Sequence, residues 1–397
     1  MMNALQKRLA LCGCGLVLSA LTYAQSWEKI HAKAVLVDSH NDVLSATMKG
    51  LDISQNLGDK THSDLPRFRQ GGVDVQVFSV FCDERFGKDT AFKFANIEID
   101  SLYAIAARNP DKMTIVRTPA ELKKAVRQKK LAAMIGVEGG HMIEDQLSYL
   151  DSLYKRGARY LTLTWNNSTA WASSAKDETG NTVPAPQKGL NDFGKQVVRR
   201  MNEQGMMVDL SHVGEQTFWD AIHTTTKPVI VSHSCAYALC PVPRNLKDDQ
   251  IMAVGKNNGV IQINFYSGFL DSTYFKQQRQ FTAAHRAEAD ALKSAGKSHY
   301  EIQETLYAKY PAEVQQMRAP MRLLIDHIDH IVRLIGVDHV GIGSDFDGIE
   351  SPPRELNGVQ DFPLLTKALL ERGYSKKDVR KVLGGNFIRV FRANSKK

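Results

Sequence analysis

Apolar and polar positions alternate along this chain in a regular rhythm of short β-rich runs and longer helical stretches. The runs read AVLVDSH (34–40), VDVQVFSVF (73–81), LAAMIGVEG (131–139), ARYLTLTW (158–165), MMVDLSH (206–212), PVIVSHS (228–234), GVIQINFY (259–266) and HVGIGSDFDG (339–348). Between them lie segments of helical spacing, among them PAELKKAVRQKK, LNDFGKQVVRRMNEQG and PMRLLIDHIDHIVRLIG. Near-continuous apolar runs alternating with helices predict parallel strands, and eight such units predict a (β/α)8 barrel, an α/β fold. A doubly wound open sheet is the structural alternative, but no GxGxxG or Walker-type loop opens a helix. The polar, helix-prone stretch from about 267 to 320 reads as an insertion after the seventh strand, within one domain spanning 25–397.

The polar residues fall where these runs end. In a barrel the strand interiors pack the core and their C-terminal ends carry chemistry. The first run ends in His40 and Asp42, the third in Glu138, the fifth in His212, the sixth in His233 and the eighth in Asp345. Carboxylates gathered without counter-charge repel one another, and a pair of divalent cations removes that cost. Imidazole and carboxylate donors suit Zn²⁺, without excluding Mn²⁺ or Fe²⁺. The economical assignment gives one metal His40 and Asp42 and the other His212 and His233, with Glu138 bridging. A hydroxide between the two Zn²⁺ ions is the expected nucleophile, and Asp345 the residue that passes a proton to the leaving amine. Asp209 and His141 adjoin the cluster as candidate supports for ligand imidazoles. Asp326, His327, Asp329 and His330 read as a solvated helix face, and His339 enters its strand from the end away from the chemistry.

Composition narrows the rest. Hydrophobic content of 43% and charged content of 24% are those of a globular protein. The first 24 residues depart from it: Lys7 and Arg8 precede the apolar run LALCGCGLVLSALTYA, the build of a secretory signal peptide cut after Ala24. The run falls short of the roughly 20 residues that span a bilayer, so the mature chain is expected to be exported, periplasmic or secreted, with no transmembrane span. Cleavage lowers the formal charge of +8 by two. Basic residues are scattered, which argues against nucleic-acid binding. Three cysteines remain, Cys82, Cys235 and Cys240; the last two are spaced to pair, but they make no disulfide framework.

HND after the first run, GVEGGH, DLSH, SHS, the RN that follows it and GSDFDG together resemble the renal or membrane dipeptidase family, in order along essentially the whole mature chain. The resemblance implies a (β/α)8 peptidase with two Zn²⁺ per chain, dipeptide substrates and tolerance of a C-terminal D-residue. It also implies that His40, Asp42, Glu138, His212 and His233 hold metal, that Asp345 transfers the proton, and that Arg244 in VPRN binds the substrate. A planar guanidinium suits a carboxylate, which it pairs bidentately. A homodimer is implied by the family alone. Vertebrate members carry a histidine in an LTH motif where this chain has Trp165, in LTLTWNNSTAW. Trp165 is therefore expected to line the substrate site, with its N–H, or Asn166 or Asn167, replacing the lost donor, or with the preferred substrate shifted. The rival readings are another binuclear amidohydrolase, disfavoured by HxD in place of HxH, and a catalytically dead peptide-binding relative.

Overall fold

A computed structural model describes residues 27–182 and 188–396; the predicted signal peptide lies outside them. The strands are β1 (Leu36–Asn41), β2 (Val73–Val80), β3 (Met113–Ile115), β4 (Leu131–Glu138), β5 (Ala158–Thr162), β6 (Met207–Asp209), β7 (Ile230–Ser234), β8 (Val260–Ile263) and β9 (Val340–Ile342). All pair in parallel in the order β1-β2-β4-β5-β6-β7-β8-β9. The two edges meet beyond β9, where Asp42 N–H donates to Phe346 O at 2.9 Å and Asp345 N–H to His40 O at 3.1 Å. Eight parallel strands thus make a nearly closed barrel of the (β/α)8 type, as the apolar rhythm predicts. The ninth, β3, is three residues that pair with the start of β4 outside the barrel path.

Three apolar regions account for the packing. One fills the space between the barrel and its surrounding helices. A second sits inside the barrel toward the N-terminal ends of the strands, where Val37, Val75, Val77, Met134, Met207, Ile230 and Val260 meet Phe387, Val390 and Phe391 of the last helix (Asn386–Asn394). That helix closes the N-terminal mouth with polar contacts as well: Arg389 donates to the carbonyls of Asn258, Gly259 and Asp338, and Asn394 to that of Pro228. The third is a small core of the inserted helices, built from Tyr274, Phe281, Leu306, Tyr307, Val314 and Met317. These helices lie between β8 and the helix Met321–Ile335, where the sequence predicts an insertion. Arg318 ties the insertion to the loop after β9 through the carbonyls of Pro352, Pro353 and Leu356. Among the described residues, no helix is long and apolar enough to cross a membrane.

The strands stop earlier than the apolar runs do. His212 lies three residues past β6, Asp345 three past β9 and Trp165 three past β5. His212 and Asp345 adopt left-handed backbone, with φ of 64° and 61°. Such a conformation costs a non-glycine residue about 1–2 kcal/mol. It turns a side chain that has left its strand back over the barrel mouth.

Candidate metal centre

The C-terminal mouth brings together all six residues expected to carry the chemistry. Glu138 stands at the middle. Its Oε1 lies 2.9 Å from His212 Nε2 and 3.3 Å from His233 Nε2, and its Oε2 lies 3.7 Å from His40 Nε2. His40 Nε2 is also 3.4 Å from Asp42 Oδ2 and 3.9 Å from Asp345 Oδ1. His212 and His233 bring their Nε2 atoms to 2.9 Å of each other. Close backbone approach makes this possible at Gly348, where a Cβ would stand 2.1 Å from Asp42 Oδ2 and 2.5 Å from Asp345 Oδ1.

Each imidazole is held from behind at Nδ1. Tyr160 Oη is 2.8 Å from His40 Nδ1, and the same phenol donates to Ser39 O at 3.1 Å. Asn166 Oδ1 is 3.1 Å from His212 Nδ1, and Ser232 Oγ 2.8 Å from His233 Nδ1. The Tyr160 ring crosses the barrel through the space beside Gly136, where a Cβ would meet it at 2.0 Å. Asn264 Nδ2 donates to Asp345 Oδ2 at 2.8 Å. Sequence reading did not single out Tyr160, Ser232 or Asn264. Their signal was weak: a serine beside a histidine, and a tyrosine at an inward position of a neighbouring strand.

The electrostatics follow from burying so much charge. Burial works to raise the Glu138 carboxyl, but His40 above all, and then His212, outweigh it and hold the group well below its ordinary value. Burial likewise depresses His40, yet Tyr160, Glu138 and Asp42 reverse the effect and leave it well above the ordinary imidazole range. Burial and then Arg244 lower His212 to about 4, and burial and then His40 depress His233. Burial, reinforced by the Asp42 and Glu138 carboxylates, raises Asp345 well above the carboxylate range.

These groups fit a divalent cation. His40 Nε2 and Asp42 Oδ1 are buried without a hydrogen-bond partner. The donor atoms of His40, Glu138 and His233, and those of His40, Asp42 and Asp345, each cluster within 4.8 Å. Imidazole nitrogen with carboxylate oxygen is the donor chemistry of such ions.

A family model for membrane dipeptidases, peptidase family M19, matches residues 24–397. The chain belongs to the membrane dipeptidase family. An uncharacterized dipeptidase of Schizosaccharomyces pombe is 31% identical over 386 residues, covering 93% of this chain and 82% of the yeast protein. The probable dipeptidase PvdM of Pseudomonas aeruginosa shares the fold at a TM-score of 0.76, with 22% identity and coverage of 94% and 98% of the two chains. A Rhodobacter sphaeroides metallopeptidase, solved with a phosphinate mimic of L-Ala-D-Ala, shares it at 0.72, with 22% identity and coverage of 91% and 99%. This chain is therefore a metallodipeptidase, a hydrolase of peptide bonds.

Within this dipeptidase, Arg244 and Trp165 both flank the centre. The Arg244 guanidinium reaches Ser234 Oγ at 3.2 Å and His233 O at 3.4 Å, and lies 5.2 Å from the Phe269 ring centroid. Its Nε is buried without a partner. Trp165 is half-buried, its ring 4.7 Å from that of Phe81. It adjoins Gly139, whose φ of 100° and lack of Cβ let His141 and Trp165 both close over the end of β4. Of the donors weighed for this corner, Asn166 is committed through Oδ1 to His212. His141 turns away from the cluster, its Nε2 2.9 Å from Cys82 O. Cys235 and Cys240 are buried and unpaired.

One expectation is corrected. His327 is not on a solvated face: it is 1% exposed, accepts Ala236 N–H at Nδ1 (3.0 Å) and places Nε2 3.1 Å from Leu270 O. It shares the buried stripe of its helix with Leu324, Ile328 and Ile331, and so pins the loop that leads to Arg244. Its neighbours are solvent-side groups in pairs, Asp326 and Asp329 with Arg372, and His330 with Asp248.

Proposed function

We propose that this protein is an exported, two-zinc dipeptidase that accepts dipeptides with a C-terminal D-residue as well as L,L-dipeptides. The observation that carries the two-metal reading is Glu138, one oxygen on His212 and His233 and the other on His40. His40 and Asp42 would hold one Zn²⁺, His212 and His233 the other, with Glu138 shared. When bound, the ions supply electrophilic activation of water and of the scissile carbonyl.

The chain's own residues supply the rest. Arg244 is raised over the mouth on Ser234, His233 O and Phe269, where its fork receives the substrate's terminal carboxylate. Anchoring that carboxylate places the C-terminal peptide bond of the substrate over the centre. Burial, reinforced by the Asp42 and Glu138 carboxylates, raises the Asp345 carboxyl well above its ordinary value. Asn264 fixes Oδ2, and Oδ1 faces the cluster, so the group is poised to protonate the leaving amine. Trp165 and Phe81 form an aromatic wall by Gly139 at the end of β4, where a side chain of the substrate packs. Tolerance of a D-residue is supported by the Rhodobacter sphaeroides neighbour, which was solved with a mimic of L-Ala-D-Ala. Export is supported by the basic start and apolar run of the first 24 residues.

The deciding experiment measures amino-acid release from L-Ala-D-Ala, L-Ala-L-Ala and L-Ala-L-Ala-L-Ala by zinc-loaded protein. Cleavage of both dipeptides and not the tripeptide is expected. Cleavage of the L,L-dipeptide alone would remove the D-residue from the proposal, and no cleavage with two ions bound would sink the substrate reading. Export predicts a mature N-terminus at Gln25 in the secreted or periplasmic fraction; an intact Met1 on cell-associated protein would refute it.

A further inference from the structure

Asp209, the last residue of β6, is fully buried and has no place in the chemistry above. Four donors converge on it. Its Oδ1 accepts the backbone N–H of Ser211 at 3.1 Å and of Ser232 at 2.8 Å. Its Oδ2 accepts the hydroxyls of Thr162 at 2.5 Å and Ser232 at 2.6 Å. An ionised carboxylate only accepts, and a serine hydroxyl has one hydrogen. The Ser232 hydrogen is therefore committed to Asp209 Oδ2, the nearest acceptor in its reach and an anionic one, ahead of His233 Nδ1 at 2.8 Å and Ser211 Oγ at 3.2 Å. That leaves Ser232 Oγ as an acceptor toward His233 Nδ1, 2.8 Å away. The imidazole hydrogen must then sit on Nδ1, and Nε2 turns a lone pair toward Glu138 and His212.

We infer that Asp209 is a positioning residue that fixes the tautomer of His233 through the Ser232 hydroxyl, and so keeps that half of the centre able to hold metal. The inference rests on the reading of His233 as a ligand. A metal-binding imidazole needs its other nitrogen to carry the hydrogen, and its hydrogen-bond partner decides whether it does. The carboxylate acts here at one remove, through a hydroxyl.

The relay has a polarity that one substitution reverses. In Asp209→Asn the two backbone N–H groups demand the amide oxygen, so the amide nitrogen must face the hydroxyls. Ser232 then accepts from Asn, turns its hydrogen to His233 Nδ1 and drives the ring hydrogen to Nε2, where it blocks the metal. Ser232→Ala removes the relay without reversing it. The molecule also contains its own control. Asp38, on β1, accepts Ser344 N–H at 2.8 Å and Ser344 Oγ–H at 2.7 Å in the same manner. The other neighbours of that hydroxyl are Phe346 N–H, a donor at 3.2 Å, and His40 O, a carbonyl at 3.4 Å; neither is a ring. In Asp38→Asn, Ser344 turns to that carbonyl and no tautomer changes.

The test is zinc stoichiometry and affinity by chelator competition on the full chain, with folding followed by near-ultraviolet circular dichroism. Asp209→Asn is expected to weaken one of the two zinc ions by roughly 10–100-fold, Ser232→Ala to weaken it less, and Asp38→Asn to keep both within threefold. Two ions at wild-type affinity in Asp209→Asn, or a larger loss in Ser232→Ala than in Asp209→Asn, would overturn the inference. A second readout does not depend on the folding of any variant or on metal. In metal-free wild-type protein labelled with ¹⁵N-histidine, His233 is expected to show hydrogen at Nδ1; hydrogen at Nε2 refutes the relay directly. A wild type that shows the Nδ1–H form but binds no zinc would sink the proposed function and leave the relay standing.

Discussion

The two ends of the barrel are built from the same strands to opposite specifications. At the N-terminal mouth, alternate inward residues are apolar, and the final helix drives Phe387, Val390 and Phe391 among them. Its polar groups reach carbonyls just ahead of the strands, as Arg389 and Asn394 do. At the C-terminal mouth the same strands end in imidazoles and carboxylates, His212 and Asp345 sit in left-handed backbone, and His40 Nε2, Asp42 Oδ1 and Arg244 Nε are buried without partners. One end is closed mainly by apolar packing, which stabilises the fold. The other gathers partnerless imidazole, carboxylate and guanidinium atoms where a bound ion or substrate would complete them. Stability and activity should therefore separate by position along a single strand.

The sharpest break in that separation would come from Glu138→Gln. An amide nitrogen would replace one of the two oxygens that face His40, His212 and His233. We expect kcat/KM on L-Ala-L-Ala to fall by at least ~10³-fold, about 4 kcal/mol at 1.36 kcal/mol per decade. Activity within tenfold of wild type would remove Glu138 from the centre.

The opposite mouth gives the converse. Phe391 is fully buried against the strand starts, and Phe391→Ala should cost about 3–5 kcal/mol of stability through lost burial and the cavity left behind. Urea unfolding checks the loss, and zinc content and kcat/KM of the folded protein should stay within about twofold. A parallel loss of zinc would show that the two ends are coupled.

Much of this division can be read from the sequence, and the rest has physical reasons for being hidden. Parallel strands buried on both faces appear as continuous apolar runs, so the eight barrel strands stand out, and a histidine or acid that ends such a run is conspicuous. The three residues of β3 are too few to make a pattern. The apolar runs also overstate strand length, because Leu163 and Leu210 remain buried after the ladder has ended. Tyr160, Ser232 and Asn264 escape notice because what makes them matter is a neighbour on another strand, and closure of a barrel is not written in linear spacing. His327 was available: at positions 324, 327, 328 and 331 it completes a helical stripe with three apolar residues. Read as a polar residue among charges, it looks solvated; read by its phase, it is core.

His327 therefore gives a milder test of how the chemical end is supported from outside. Burial lowers its pKa to about 4, whereas an unfolded histidine titrates near 6.5. The unfolded chain binds the proton first as pH falls. The stability this neutral imidazole contributes is thus complete above pH 6.5 and is lost progressively down to about pH 4. At ~1.36 kcal/mol per pH unit the loss is about 2 kcal/mol between pH 6.5 and pH 5. His327→Gln should lower stability at pH 7 and flatten this slope, so that wild type and variant converge toward pH 5 in paired urea titrations. Parallel curves would mean that His327 does not titrate on unfolding in this range.

The smallest effect expected is also the most specific. Arg244 meets Ser234 and His233 O with its fork while its face lies over Phe269, and lysine offers neither a fork nor a planar face. If the group anchors the substrate carboxylate equally before and during reaction, Arg244→Lys should raise KM roughly tenfold and leave kcat nearly unchanged, since uniform binding is what has been weakened. Stability should fall by no more than the contacts to Ser234, His233 O and Phe269 that lysine cannot make. KM alone does not say which substrate group is read, but a cycle does. Capping L-Ala-L-Ala as its C-terminal amide should cost the wild type at least as much in kcat/KM as the arginine substitution does. The two losses should then fail to add when combined, because each removes the same contact. Additive losses would place the carboxylate elsewhere on the mouth and leave Arg244 as a support for the loop that His327 pins.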